Sequence, residues 1–132
     1  MILALQTADS TTRLWLLASA AGAPGEPELV WESGRGLSDG LLAKITEVLA
    51  AAGRKLGDLT GIVIFSGPGS FTSLRIGHSV ANALADSLGI PVAGATGQDW
   101  LVAALGQLAA AKPGRPVWPH YGSEAHITKP RT

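Results

Sequence analysis

Short apolar runs and longer helical stripes alternate along the chain, and their order predicts the fold. Ile2 to Thr7 is a continuous apolar run of strand length, and Arg13 to Ala18 is a second one, reached through the turn residues Ala8 to Thr12. Residues 20–27 hold two Pro and two Gly and read as a loop. Glu28 to Ser33 then alternates like a half-exposed third strand, so the opening predicts an antiparallel meander. Leu37, Leu41, Leu42, Ile45, Val48 and Leu49 recur at helical spacing, with Ser38 as the expected N-cap and Gly53 as the stop. Gly61 to Phe65 is a fourth strand, Thr72 to Leu88 a second helix, Ile90 to Ala95 a short fifth strand, and about 98–111 a third helix. The order β-β-β-α-β-α-β-α predicts an α/β fold, a single ribonuclease-H-like or actin-like lobe with a mixed five-stranded sheet. Residues 112–132 contain four Pro and no helical period, and are expected to form an extended tail.

Composition narrows this picture. With 132 residues and 46% hydrophobic content there is material for one lobe but not two. The absence of Cys excludes thiol catalysis, thiolate metal sites and disulfides, which fits a cytoplasmic protein. No apolar run approaches the ~20 residues needed to span a bilayer. Formal net charge is zero, yet residues 1–111 carry six Lys/Arg against nine Asp/Glu while residues 112–132 carry four against one. The body is mildly acidic and the tail basic.

Candidate chemistry is sparse. Gln6, Thr7 and Ser66 stand at the strand ends where metal-dependent members of this fold class place carboxylates, so no metal anchor is expected. Asp9, alone in a Thr/Ser turn, reads as a local hydrogen bonder. The loop Gly67-Pro68-Gly69-Ser70-Phe71-Thr72 is a candidate anion loop through Gly67, Gly69, Ser70 and Thr72, because free N–H groups open the helix behind it. It lacks both the P-loop lysine and the sixth glycine of the dinucleotide fingerprint, which favours a packing joint instead. His78, His120 and His126 share no metal-ligand spacing, and no cofactor is expected. On the second helix, Gly77, Ala81 and Ala85 form a small-residue seam that could admit a partner helix, with Leu41, Leu42 and Ile45 of the first helix completing the patch. Packing of the two helices on each other within the domain is the alternative reading of the same pattern.

The segment Gly67 to Gly77 resembles the GPGSFTGxRIG signature of the TsaB (YeaZ-like) family of bacterial tRNA threonylcarbamoyladenosine (t6A) synthesis. The similarity continues through Ala81 to Ala85, Gly89 to Val92, the opening Ile2 to Ala8, and Arg35 to Ser38, covering residues 1 to about 111. Gln6, Gly36-Leu37 and Ser73 depart from the family pattern. The resemblance implies an actin-like lobe without catalysis of its own, docking through its first two helices onto the catalytic relative TsaD, with TsaE as an ATPase in the assembly and tRNA touched indirectly. Arg75 and His78 join Leu41, Leu42, Ile45, Gly77, Ala81 and Ala85 as expected partner-binding residues. A homodimer through the same seam is compatible with this reading. Residues 112–132 stand where the family's second lobe begins, so a short form with only the N-terminal lobe is expected; the tail is expected to pack on the lobe or meet a partner. The alternative is an ATP-using phosphotransferase or a glycoprotease-like hydrolase.

Overall fold

A computed structural model describes residues 1–21 and 24–120. The elements follow the expected order: β1 (Ile2–Gln6), β2 (Thr11–Leu17), β3 (Leu29–Glu32), α1 (Leu37–Ala51), β4 (Gly61–Phe65), α2 (Phe71–Leu88), β5 (Val92–Ala95) and α3 (Trp100–Leu108). They build one mixed sheet in the order β3-β2-β1-β4-β5. The meander supplies two antiparallel pairs, and the helical crossovers add β4 and β5 parallel to β1. This is the α/β, actin-like lobe.

Alternation in the central strands divides the core in two. Leu3 and Leu5 of β1 with Ile62 and Ile64 of β4 face α1 and α2, where Leu41, Ile45, Leu49, Ala81 and Ala85 close over them. Ile2, Ala4, Val63 and Phe65 face the other way, towards Trp100, Leu101, Ala104 and Leu108 of α3. Both central strands are buried on both faces, which is why they read as unbroken apolar runs rather than alternating ones.

Local signals differ from expectation at the ends of α1. Its N-cap is Gly36 and no side chain caps it; Ser38 lies inside the first turn, because a short 3-10 turn at Gly34–Gly36 leads directly into the helix. At the other end Gly53 adopts φ +73° just beyond the C-cap Ala52, as a helix stop requires. The ends of α2 are better defined: Ser70 caps Ser73 N–H, and Gly89 at φ +68° returns its N–H to the Ala85 and Asp86 carbonyls.

From Lys112 to His120 the chain has no regular structure but is anchored. The Asn82 carboxamide of α2 grips both backbone groups of Val117, donating to its carbonyl at 2.9 Å and accepting its N–H at 3.0 Å. Three residues on, His120 N–H donates to the Ser66 carbonyl at 2.7 Å. The remainder of the tail, including His126, lies outside the described residues.

Candidate functional site

The junction between β4 and α2 is built by close approach. Gly67, at φ +124°, lies under the His120 carbonyl, where a Cβ would collide. Gly69 abuts Ala8, and a Cβ there would come within 2.7 Å of the Ala8 Cβ. The neighbouring donors and acceptors turn inward: Ser70 N–H bonds the Ala8 carbonyl at 2.7 Å, the Ser70 hydroxyl accepts from Ser73 N–H, and Gly97 N–H bonds the Gly67 carbonyl at 3.0 Å. Asp9 holds Thr11 N–H at 2.8 Å within its own turn. Of the candidate anion loop, Gly67 is covered while Gly69, Ser70 and Thr72 are exposed, and Ser70 spends its side chain on the helix cap.

Gly77 has its own physical reason. Thr7, fully buried at the end of β1, donates its hydroxyl to the Ser73 carbonyl at 3.0 Å, and its side chain lies directly against the Gly77 Cα. Any Cβ there would overlap the Thr7 hydroxyl. The glycine brings α2 onto β1.

The expected partner seam is therefore on the inside. Gly77, His78, Ala81 and Ala85 are buried, as are Leu41 and Ile45, because the small residues bring α2 down onto the sheet and let α1 pack beside it. Only Leu42 and Arg75 of the eight expected contact residues are exposed. Packing of α2 on the sheet, with α1 beside it, accounts for the seam. The surface those helices present outward is a different one: Ser38 of α1 with Thr72, Arg75, Ile76, Ser79 and Val80 of α2 line an open groove of about 430 Å³. Leu42 and Phe71 are also exposed on these helices, and the Arg75 guanidinium stands 5.4 Å from the Phe71 ring centroid.

Sequence reading missed a buried polar pair. Ser66, at the end of β4, and His78, on α2, are both 2% exposed and meet at 3.0 Å between Oγ and Nε2. His78 Nδ1 lies 2.8 Å from the Leu74 carbonyl, which can only accept, so Nδ1 carries the proton and Nε2 accepts from the Ser66 hydroxyl. Burial lowers the His78 pKa below its ordinary value of 6.5, the bond to Leu74 opposes that shift, and the His120 charge adds to it. The connectivity is that of a serine activated by a histidine. The setting is not: Ser66 is enclosed, its N–H bonds the Ala95 carbonyl and its own carbonyl is bonded by His120. The pair pins α2 to the end of β4. Nothing in the spacing of the two residues announces it, since they are brought together by the turn between them.

Beside this junction, at the ends of β1 and β4, an open pocket of about 400 Å³ is lined by Gln6, Phe65, Pro68, Gly97, Gln98 and Trp100. Its wall is aromatic, with the Phe65 and Trp100 rings meeting edge-on at 5.7 Å, and none of its lining side chains is charged. Among the described residues no three of His, Asp or Glu come together as a metal site would need. No helix among them is long and apolar enough to cross a membrane.

A mixed sheet of this order, a glycine joint and an outward helix pair define a single actin-like lobe. Comparison with known proteins gives the family. The model of tRNA N6-adenosine threonylcarbamoyltransferase (TsaD) matches residues 32–118, and the chain belongs to that family. A transferase of that name from Geotalea uraniireducens is 48% identical over 50 residues, 38% of this chain and 15% of that protein. An uncharacterized protein of Mycobacterium tuberculosis is 38% identical over 72 residues, 54% of this chain and 34% of that one. Among solved structures, YeaZ from Pseudomonas aeruginosa superposes with a TM-score of 0.59 at 28% identity, over 74% of this chain and 43% of that one. A second structure, of an uncharacterized protein from the same organism with similarity to peptidase YEAZ, gives 0.60 at 31% identity, over 69% and 40% of the two chains. Within the family the chain is YeaZ-like, and it spans less than half the length of these relatives.

Proposed function

We propose that this chain is a non-catalytic scaffold and activator in t6A modification of tRNA, which docks through the outer side of α1 and α2 onto a TsaD-like catalytic subunit. A TsaE-like ATPase belongs to the same cytoplasmic assembly, and tRNA is met through the complex. The observation that carries this reading is the uncharged pocket at the ends of β1 and β4, where Gln6 and its neighbours offer no carboxylate for a metal, in a chain whose family is that of the transferase. The open groove between α1 and α2, with Ile76 and Val80 among its lining residues, is the surface offered to a partner.

Co-expression with the TsaD-like subunit of the same cell is expected to give a complex on gel filtration, and deletion is expected to lower t6A in bulk tRNA. Two separate peaks together with unchanged t6A would overturn the proposal. The Ser66–His78 pair favours a hydrolase as the competing reading, but its burial opposes it. A fluorophosphonate probe is expected to leave the folded protein unlabelled, and labelling at Ser66 would reinstate the hydrolase.

A further inference from the structure

The last described residues bring the chain to the rim of the uncharged pocket at the ends of β1 and β4. His120 N–H bonds the Ser66 carbonyl at 2.7 Å, and the His120 carbonyl lies on Gly67. Phe65 and Pro68, which flank those two residues in the chain, line the pocket, as does Gly97, whose N–H bonds the Gly67 carbonyl at 3.0 Å. Residue 121 therefore starts beside the pocket, and three extended residues beyond His120 reach about 10 Å.

The pocket holds polar groups that nothing described satisfies. Gln6 and Gln98 each bring a carboxamide, with donors and an acceptor, and the third polar group is the indole N–H of Trp100, a residue only 5% exposed. Among the described residues none of these three side chains has a hydrogen-bond partner. A buried indole N–H usually finds one. That of Trp15, in the same half of the core, bonds the Gly25 carbonyl at 3.0 Å.

We propose that residues 121–123 of this chain seat in that pocket as an internal plug, with their peptide groups bonded by Gln6, Gln98 and the Trp100 indole and the Tyr121 ring against the wall of Phe65 and Trp100. Tyr121, Gly122 and Ser123 are uncharged, and Glu124 is the first charged residue beyond them. Such a stretch enters an uncharged pocket without the cost of burying an unpaired charge, and its backbone supplies both the donors and the acceptors that the carboxamides and the indole need. The tether selects the occupant: a segment held at the rim has an effective concentration on the order of mM, which a second copy or a free ligand has to exceed. The end of the sheet is then closed by the chain itself.

The chain has no Cys, so an introduced disulfide reads the placement directly. In the full chain, Gln98→Cys with Ser123→Cys is expected to close within one molecule under oxidised glutathione about tenfold faster than Thr72→Cys with Ser123→Cys, since closure needs the two Cβ atoms within about 4.5 Å of each other. Gln98 and Thr72 are both exposed, so the reduced variants should melt with the wild type. Adding Tyr121→Asp to the first pair should slow its closure about tenfold, because it brings an unpaired carboxylate into a pocket without charge. A first pair that closes no faster than the second sends the segment over α2 and overturns the proposal. So does a rate that Tyr121→Asp leaves unchanged, which marks proximity without a seat, or a disulfide that forms only between chains. None of these measurements involves a partner subunit, so their outcome is separate from that of the docking proposed above.

Discussion

The two sides of α2 obey opposite rules although they belong to one helix of 18 residues. Inward, Leu74, Gly77, Ala81 and Ala85 are graded in size so that the helix axis can approach the sheet, with Gly77 where Thr7 leaves no room. Outward, Arg75, Ser79 and Ala83 are exposed, with Ile76 and Val80 half-buried between the two sides. A small residue on a helix is thus not by itself a sign of an interface. What separates the sides is where the neighbouring large residues point.

Substitution should separate the two sides in stability. Ala81 is fully buried, so Ala81→Arg would confine an unpaired charge in the core and should abolish cooperative folding, with a loss above ~4 kcal/mol. A cooperative melt near that of the wild type, measured by circular dichroism, would return the seam to the surface. Gly77→Val is next, at about 1–3 kcal/mol, because its Cβ has to displace Thr7; Thr7→Ala in the same chain should recover part of the loss. Equal destabilisation with and without Thr7→Ala would count against the contact.

The Ser66–His78 pair has a pH signature of defined sign. The folded pKa of His78 lies below 6.5, so the unfolded chain takes up its proton first on acidification. The contribution of the neutral histidine is complete above the unfolded value and is lost as pH falls from there through the folded pKa. Chemical denaturation across that window should show stability falling with pH, and the slope from this residue should vanish in His78→Leu. Ser66→Ala should cost about 1–2 kcal/mol at neutral pH, since it removes the donor to Nε2. The smallest effect is expected outside: Ser79→Lys should move stability by no more than ~0.5 kcal/mol. A larger loss would place Ser79 in the packed layer.

Much of the lobe was legible in the chain. The runs at 2–7 and 61–65 announced β1 and β4 because strands buried on both faces have no polar alternation to confuse them. The glycines of the joint were legible as a strand-to-helix turn, and Asp9 as a turn residue. The ends of α1 were less so, since a 3-10 turn replaced the expected serine cap. Within the candidate site, Leu42 and Arg75 fell on the exposed side, whereas the other six expected contact residues turned inward. Periodicity gives the angle between residues around a helix but not the rotation of that helix against its sheet.

The sequence by itself determined the order of elements, the parallel addition of β4 and β5 through helical crossovers, and the glycine joint, because each depends on local backbone preference and the alternation of apolar residues. Only the tertiary structure decided which stripe of α2 meets the sheet, that Ser66 and His78 meet in the core, and that Asn82 ties down the segment at Val117. These contacts join residues distant in sequence, and a choice between nearly equivalent apolar faces is made by the volume each leaves against its neighbours. The Thr7 side chain, which leaves room for nothing larger than Gly77, made that choice here.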